Sequence, residues 1–112
     1  MGSIETPAKN EYVLTLGTGE DFNQLLKGSL NSLIIDSEDP ISITVESSLG
    51  YLIFHNSQHH GIRYYAPRAV LQGCIEHIAV KDQFDKFKLN EEVFIRVTGP
   101  TNAEVKVIIR LD

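Results

Sequence analysis

The chain has 112 residues, of which 42% are hydrophobic and 22% are charged, and this composition is typical of one globular domain. A net charge of −5 argues against a protein whose main role is nucleic-acid binding, because a phosphate backbone selects for lysine and arginine. The single cysteine excludes an internal disulfide framework, and no apolar run approaches the roughly 18 residues that a membrane span needs.

Residues 1–10 are mostly polar and include Pro7, so they predict a flexible N-terminal arm ahead of a single domain at residues 11–112. The first residues contain no continuous apolar stretch, and we therefore expect no secretory signal. From residue 11 onward, short apolar runs alternate with polar residues at period two, which is the pattern of strands with one wet face.

About eight short strands are expected, at a spacing of roughly 8–12 residues. Residues 22–27 fit either a strand or one to two helical turns, and residues 69–81 favour a strand. A turn is predicted at residues 36–40, and the turn at residues 99–102 predicts a terminal β-hairpin. The clearest runs are residues 12–16, 30–35, 41–45, 51–55, 62–65, 93–97 and 105–111. The pattern predicts an all-β protein with a jelly-roll-like antiparallel β-sandwich.

Three histidines lie in the polar stretch between the end of the fourth of these runs and the start of the fifth. Imidazole nitrogens bind zinc, copper and nickel, so His55, His59 and His60 are candidate metal ligands, with Cys74 and His77 as possible additions. Their spacing matches no familiar zinc pattern, and histidines are also common in exposed loops. We therefore expect no cofactor and keep the three histidines as the candidates if a metal does bind.

Two arginines flank two tyrosines in the next segment. Arg63, Tyr64, Tyr65 and Arg68 are residue types that are enriched at protein interfaces, so they predict an interaction surface. The alternative is an edge strand with one tyrosine in the core and one at the surface. Signs of catalysis are lacking, since the chain has neither a Gly-x-Ser-x-Gly nucleophile elbow nor a complete phosphate-binding glycine loop. A non-enzymatic protein is expected.

The overall arrangement resembles small virion proteins of tailed bacteriophages, of the capsid decoration, head-fibre or tail-connector type. The segments that carry the likeness follow the polar arm and are Leu30–Ile35, Pro40, Gly61–Tyr65, Val93–Gly99 and Glu104–Arg110. The resemblance implies a structural subunit of a virion, assembled in the host cytoplasm. It would contact other virion subunits as a homo-oligomer and touch neither nucleic acid nor membrane. No functional residue carries over, because the likeness contains no diagnostic motif.

Two alternatives follow from the residues alone, and both place the protein in the cytoplasm. The first is a small-ligand or carbohydrate-binding β module in which Tyr51, Tyr64 or Tyr65 provides a stacking platform, although the chain has no tryptophan for that purpose. The second is a cupin-like jelly roll with a histidine-bound metal.

Overall fold

The computed structural model describes residues 3–8, 10–71, 74–75, 78–79 and 83–112. Within these residues the regular structure consists of strands, and every pairing between them is antiparallel. The strands are β1 Ser3–Ala8, β2 Glu11–Gly17, β3 Asp21–Ser47, β4 Leu52–Tyr65, β5 Ala69–Leu71, β6 Cys74–Ile75, β7 Ile78–Ala79, β8 Gln83–Asp85, β9 Lys88–Thr98 and β10 Glu104–Leu111. The prediction of an all-β, antiparallel protein is confirmed.

Six strands form the main sheet, which is fewer and longer than the expected set of eight short strands. Its order is β1-β2-β10-β3-β4, and β9 pairs with β3 off this path. The two short ladders β5-β8 and β6-β7 lie apart from it. The count differs because β3 runs through 27 residues without a break, including residues 22–27 and the turn predicted at residues 36–40.

Strand β3 belongs to two layers, and this makes the fold a jelly-roll-like sandwich. Residues 21–29 and 42–47 pair with the two opposite edges of β9, whereas residues 30–37 pair with β10. Strand β4 likewise continues from one layer into the other. We call residues 21–29, β9, residues 41–47 and residues 52–59 the first layer. The second layer contains β1, β2, β10, residues 30–37 and residues 61–65.

The strands bend from one layer to the other at glycines with positive φ and at an interruption of the strand pairing. Gly28 has φ of 132° and Gly61 has φ of 83°, which are conformations that side-chain-bearing residues rarely adopt. The third bend lies in the register shift between Ser37 and Ile41, and it contains Pro40, which has no N–H for a ladder. The residues that suggested a turn therefore produce a crossing between layers.

The predicted terminal hairpin is not formed. Among the described residues, β9 pairs only with β3, and β10 pairs with β2 and β3, so the turn at residues 99–102 carries the chain from one layer to the other. The physical reason is that two separate parts of β3 already occupy both edges of β9. A short turn between two alternating segments shows that the chain connects two strands there. It does not determine which strands they pair with.

The segment expected as a flexible arm contains a strand. Ser3–Ala8 pairs with β2, and the register shifts between Glu5 and Ala8, around Pro7. Backbone hydrogen bonds do not require an apolar pattern, and proline is tolerated on an edge strand. The second layer therefore begins with β1 as its outermost strand.

One core fills the space between the two layers. The inner positions of β9 and β10 are buried at every second residue, which is the period of a strand. Burial of each large aliphatic side chain stabilises the fold by about 1.5–3 kcal/mol. The cluster comprises Leu14, Leu16, Leu26, Leu30, Leu33, Ile35, Ile41, Ile43, Val45, Ile53, Leu89, Val93, Ile95, Val97, Val105, Val107, Ile109 and Leu111. The part of the chain that the structure describes contains no helix long and apolar enough to cross a membrane.

Candidate ligand-binding cleft

The three candidate histidines of β4 do not converge on one point. His55 contacts the hydroxyl of Thr44 through Nδ1 at 2.9 Å, and His60 contacts the Glu38 carbonyl oxygen through Nε2 at 2.9 Å. Both of these histidines are exposed, whereas His59 is fully buried. Among the described residues, no group of three or more His, Cys, Asp or Glu side chains is arranged to hold a metal ion. The possible further ligand Cys74 lies in β6, and His77 falls outside the described residues.

His59 is the centre of a directed hydrogen-bond chain on the inner side of β4. Its Nε2 lies 2.9 Å from the carbonyl oxygen of Gly61, and a carbonyl oxygen only accepts, so Nε2 carries the hydrogen. In the neutral ring Nδ1 then accepts from the hydroxyl of Tyr65 at 2.8 Å. The Tyr65 oxygen in turn accepts from Nδ2 of Asn56 at 3.0 Å, and Oδ1 of Asn56 accepts from the backbone N–H of Gln58. The chain of bonds selects one histidine tautomer and one amide orientation.

Tyr65 also joins the two layers. Its ring packs against Phe54 with 4.5 Å between ring centroids, and against His59 with 5.8 Å. Phe54 lies in the first layer and Tyr65 in the second, so this aromatic contact spans the sandwich at the side where β4 is the outer strand. Such pairs contribute about 0.5–1.5 kcal/mol beyond the area that they bury.

The four residues predicted as an interaction surface lie in three different places. Tyr64 is exposed and pairs with Ile34, whose side chain points away from the core, whereas Arg63 and Tyr65 pair with inward-facing residues of β3. Arg68 lies beyond the end of β4 and donates from Nη1 to the carbonyl oxygens of residues 30, 31 and 67, at 3.4, 3.1 and 2.8 Å. Its other nitrogens make no hydrogen bond to a described residue.

Arg68 lines an open cleft of about 960 Å³ between the start of β4, the start of β9 and residues 67–69. The cleft combines aromatic and basic side chains. Tyr51 and Phe87 lie parallel there, with 5.9 Å between ring centroids and 4° between planes. The six side chains that define the cleft's chemistry are Tyr51, Phe54, Phe87, Arg68, Lys86 and Lys88. Among the described residues that line it, none is acidic, although the chain has 15 acidic and 10 basic residues.

Other depressions on the described surface have the opposite character. One is lined by Asp36, Glu38, Asp39 and Glu104, another by Glu20 and Glu104. A third contains Asp21 and Glu46 beside Arg96. The cleft at Tyr51 is therefore distinguished by its charge as well as by its aromatic wall.

An acidic side chain already pairs with the basic side of this cleft. Lys86 forms an ion pair with Asp112, and Nδ2 of Asn31 donates to the same carboxylate at 3.0 Å. The hydrogen bond from Lys86 lowers the pKa of Asp112, and Asn31 and the charge of Arg68 act in the same direction. The basic groups thus favour a negatively charged carboxylate at their border.

A buried carboxylate accepts a hydrogen bond from the aromatic wall of the cleft. Glu91 is 8% exposed and accepts hydrogen bonds from the hydroxyl of Tyr51, at 2.9 Å, and from Ser47. Burial, followed by the hydrogen bond to Glu91, raises the pKa of Tyr51. Sequence reasoning missed Glu91, although the series Leu89, Glu91, Val93 places it on the inner face of β9. An inward-facing acid in an alternating strand is the signal that was available.

No protein-family model and no curated protein matches this chain. Among solved structures, the chain is similar to an RmlC-like cupin protein from Desulfovibrio desulfuricans, known from a crystal structure. The two are 10% identical, and the alignment covers 98% of this chain and 80% of that chain with a TM-score of 0.45. The assignment of a jelly-roll-like sandwich follows from the strand pairing of the chain itself.

Proposed function

We propose that this protein is a small-ligand-binding β module and that the cleft at Tyr51 takes an anion with a flat apolar or sugar portion. The observation that carries the proposal is the lining of the cleft, where, in the part of the chain that the structure describes, an aromatic wall meets basic side chains and no acid. A concave, partly apolar site with a few convergent polar groups is the usual form of a ligand site. The proposal assigns binding to the cleft and no reaction.

The basic groups have different parts in this scheme. Arg68 is held by its Nη1, so the remaining guanidinium nitrogens are the natural donors to a carboxylate or phosphate. Lys88 is exposed on the first residue of β9 and contributes a second positive charge. The flat portion of the ligand would lie against the ring of Tyr51 or Phe87.

Of the three tyrosines considered as stacking platforms, only Tyr51 lines this cleft. The hydroxyl of Tyr65 is bonded to His59, and Tyr64 faces outward on the second layer. The virion role that the sequence resemblance implies stays a prediction, since the features of the cleft do not bear on virion assembly. The cupin-like metal alternative lacks a ligand set among the described residues.

The proposal is tested by nuclear magnetic resonance titration of ¹⁵N-labelled protein with phenyl phosphate. We expect saturable shifts of the amide signals of residues 51–55 and 86–88. Inorganic phosphate and phenol, which each present half of the probe, should bind more weakly. Lys88→Glu is expected to weaken the affinity for phenyl phosphate by about tenfold, which corresponds to about 1.4 kcal/mol.

Lys106→Glu is the matched control. Lys106 is also an exposed lysine on a strand, but it lies in β10 at the acidic depression, and its substitution changes the net charge equally. This variant should bind phenyl phosphate like the wild type. Shifts that occur away from the cleft, or equal affinity of the Lys88→Glu variant and the wild type, would contradict the proposal.

A further inference from the structure

An apolar row crosses the outer face of the second layer and ends at its edge. Val13, Ile108, Ile34 and Tyr64 are successive cross-strand partners on β2, β10, β3 and β4. The first three side chains are half-buried, and Tyr64 at the end of the row is 61% exposed. Ile62, on the same face of β4, is 72% exposed. The outer face of a sandwich is normally polar, so this row marks a surface with a partner.

The row ends at a strand edge that has no partner among the described residues. Strand β4 pairs with β3 on one side only. Proteins usually protect such an edge with lysine, proline or inward-pointing charges, because unpaired N–H and C=O groups recruit another strand. Residues 61–65 contain none of these except Arg63. The apolar side chains Ile62 and Tyr64 lie on the edge of β4 that pairs with no other described strand.

We propose that residues 62–66 of two copies of this chain pair antiparallel about a two-fold axis, so that the second layers of both copies form one continuous sheet. Charge favours a second copy as the occupant. Strand β4 contains no acidic residue and one arginine, in a chain of net charge −5, so two copies can meet along this edge without bringing carboxylates of β4 together. The apolar row would then continue from one copy into the other.

The register of the pairing between the two copies follows from the residues at the two ends of the pairing segment. Gly61, with φ of 83°, bends β4 at one end, and Pro67, which has no N–H, closes the other. A symmetric ladder between these two positions is centred on Tyr64, so the two Tyr64 side chains face each other on the outer surface. Arg63 then lies opposite Tyr65 of the second copy, and a guanidinium beside an aromatic ring is a favourable pair. A ladder centred on Arg63 would instead oppose two positive charges.

Sedimentation velocity over a range of protein concentrations tests the dimer. We expect the wild type to form a dimer and Tyr64→Lys to sediment as a monomer, since two lysines would meet at the axis. Phe94→Lys is the matched control: Phe94 is an exposed aromatic residue on β9, both edges of which pair with β3. This variant should dimerise like the wild type. A monomeric wild type, or a dimer that survives Tyr64→Lys, would overturn the proposal.

Cysteine crosslinking tests the register, in a background in which Cys74 is changed to serine. Tyr64→Cys should form a disulfide-linked dimer under mild oxidation, because the two cysteines face each other. In the proposed ladder the two copies of residue 62 are offset by four residues, about 13 Å, which is beyond the reach of a disulfide. Ile62→Cys should therefore remain uncrosslinked. Faster crosslinking at position 62 than at position 64 would exclude the register centred on Tyr64.

Discussion

The inner faces of β9 and β10 are stabilised by different interactions from the inner face of β4. Strands β9 and β10 bury an apolar side chain at nearly every second position. Strand β4 instead buries His59 and lines the inner side of the sandwich with Asn56 and Tyr65, joined by hydrogen bonds. Apolar packing is non-directional, whereas the bonds of β4 require specific donors and acceptors.

This difference explains why the candidate functional surfaces lie near β4. Where the inner faces of β9 and β10 are apolar, their side chains fill the space between the two layers and offer no polar group to a ligand. The side of the sandwich at β4 keeps aromatic and polar groups at the border between core and solvent, where the cleft at Tyr51 opens. Its outer strand edge also lacks a partner among the described residues. Substitutions in β9 or β10 and substitutions in β4 should therefore lower the free energy of unfolding by different mechanisms.

The largest effect is expected from a charge in the apolar region. Val97 is fully buried on β9 and pairs with the fully buried Ile43. Val97→Asp places a carboxylate with no partner between the layers and should lower the free energy of unfolding by about 3–5 kcal/mol. This loss is a large fraction of the roughly 5–15 kcal/mol by which native proteins are usually stable. Urea denaturation monitored by circular dichroism measures the change.

Thr98→Asp provides the control at the next residue. Thr98 is exposed, so the same side chain there should change the free energy of unfolding by no more than about 1 kcal/mol, the span of strand preferences. Equal melting of the Val97→Asp variant and the wild type would show that the inner face of β9 is not the core.

The apolar strands could be predicted from sequence because their period is local. The alternation over residues 93–97 and 105–111 identifies both strands and their inner faces, and burial confirms it. The partners of each strand depend on contacts far along the chain, and no local pattern records them. For this reason the hairpin between β9 and β10 was wrong, and the passage of β3 through both layers was not foreseen.

The candidate site was predictable in composition and not in geometry. The polar run at residues 56–61 predicts a loop, but the structure has a strand there. A strand with polar residues on its inner face has no apolar alternation to detect. His59 satisfies that inner face instead, because it donates a hydrogen bond to the Gly61 carbonyl oxygen and accepts one from the Tyr65 hydroxyl. Tyr51 was named as a possible platform, but Phe87 and Lys88 join it only through the approach of β9 to β4.

The hydrogen-bond chain of β4 should give the next largest effect. His59→Leu removes the partner of the Gly61 carbonyl and of the Tyr65 hydroxyl, which should cost about 2–4 kcal/mol of unfolding free energy. Tyr65→Phe keeps the ring packed on Phe54 but removes the hydroxyl, and about 1–3 kcal/mol should be lost. Thermal and urea denaturation of each variant measures both values.

The double variant distinguishes a hydrogen-bonded pair from two independent packing defects. His59 and Tyr65 share one bond, so the combined variant should lose less stability than the sum of the single variants, with a coupling of about 0.5–3 kcal/mol. His55→Leu is the matched histidine control, because His55 is exposed and its hydrogen bond among the described residues is to the Thr44 hydroxyl. If its loss of stability equals that of His59→Leu, burial of His59 is not what makes the chain of bonds important.

The smallest effect is a pH dependence at the border between the two regions, where Glu91 of β9 accepts a hydrogen bond from Tyr51. Burial and this bond raise the pKa of Tyr51, so the phenol stabilises the fold at pH values below the ordinary pKa of 10.0. That contribution is lost as the pH rises through the raised value, because the unfolded chain ionises first. Spectrophotometric titration of tyrosinate should show one late transition that Tyr51→Phe removes. Glu91→Gln should move the transition to lower pH by removing the carboxylate acceptor, and an unmoved transition would leave burial alone as the cause.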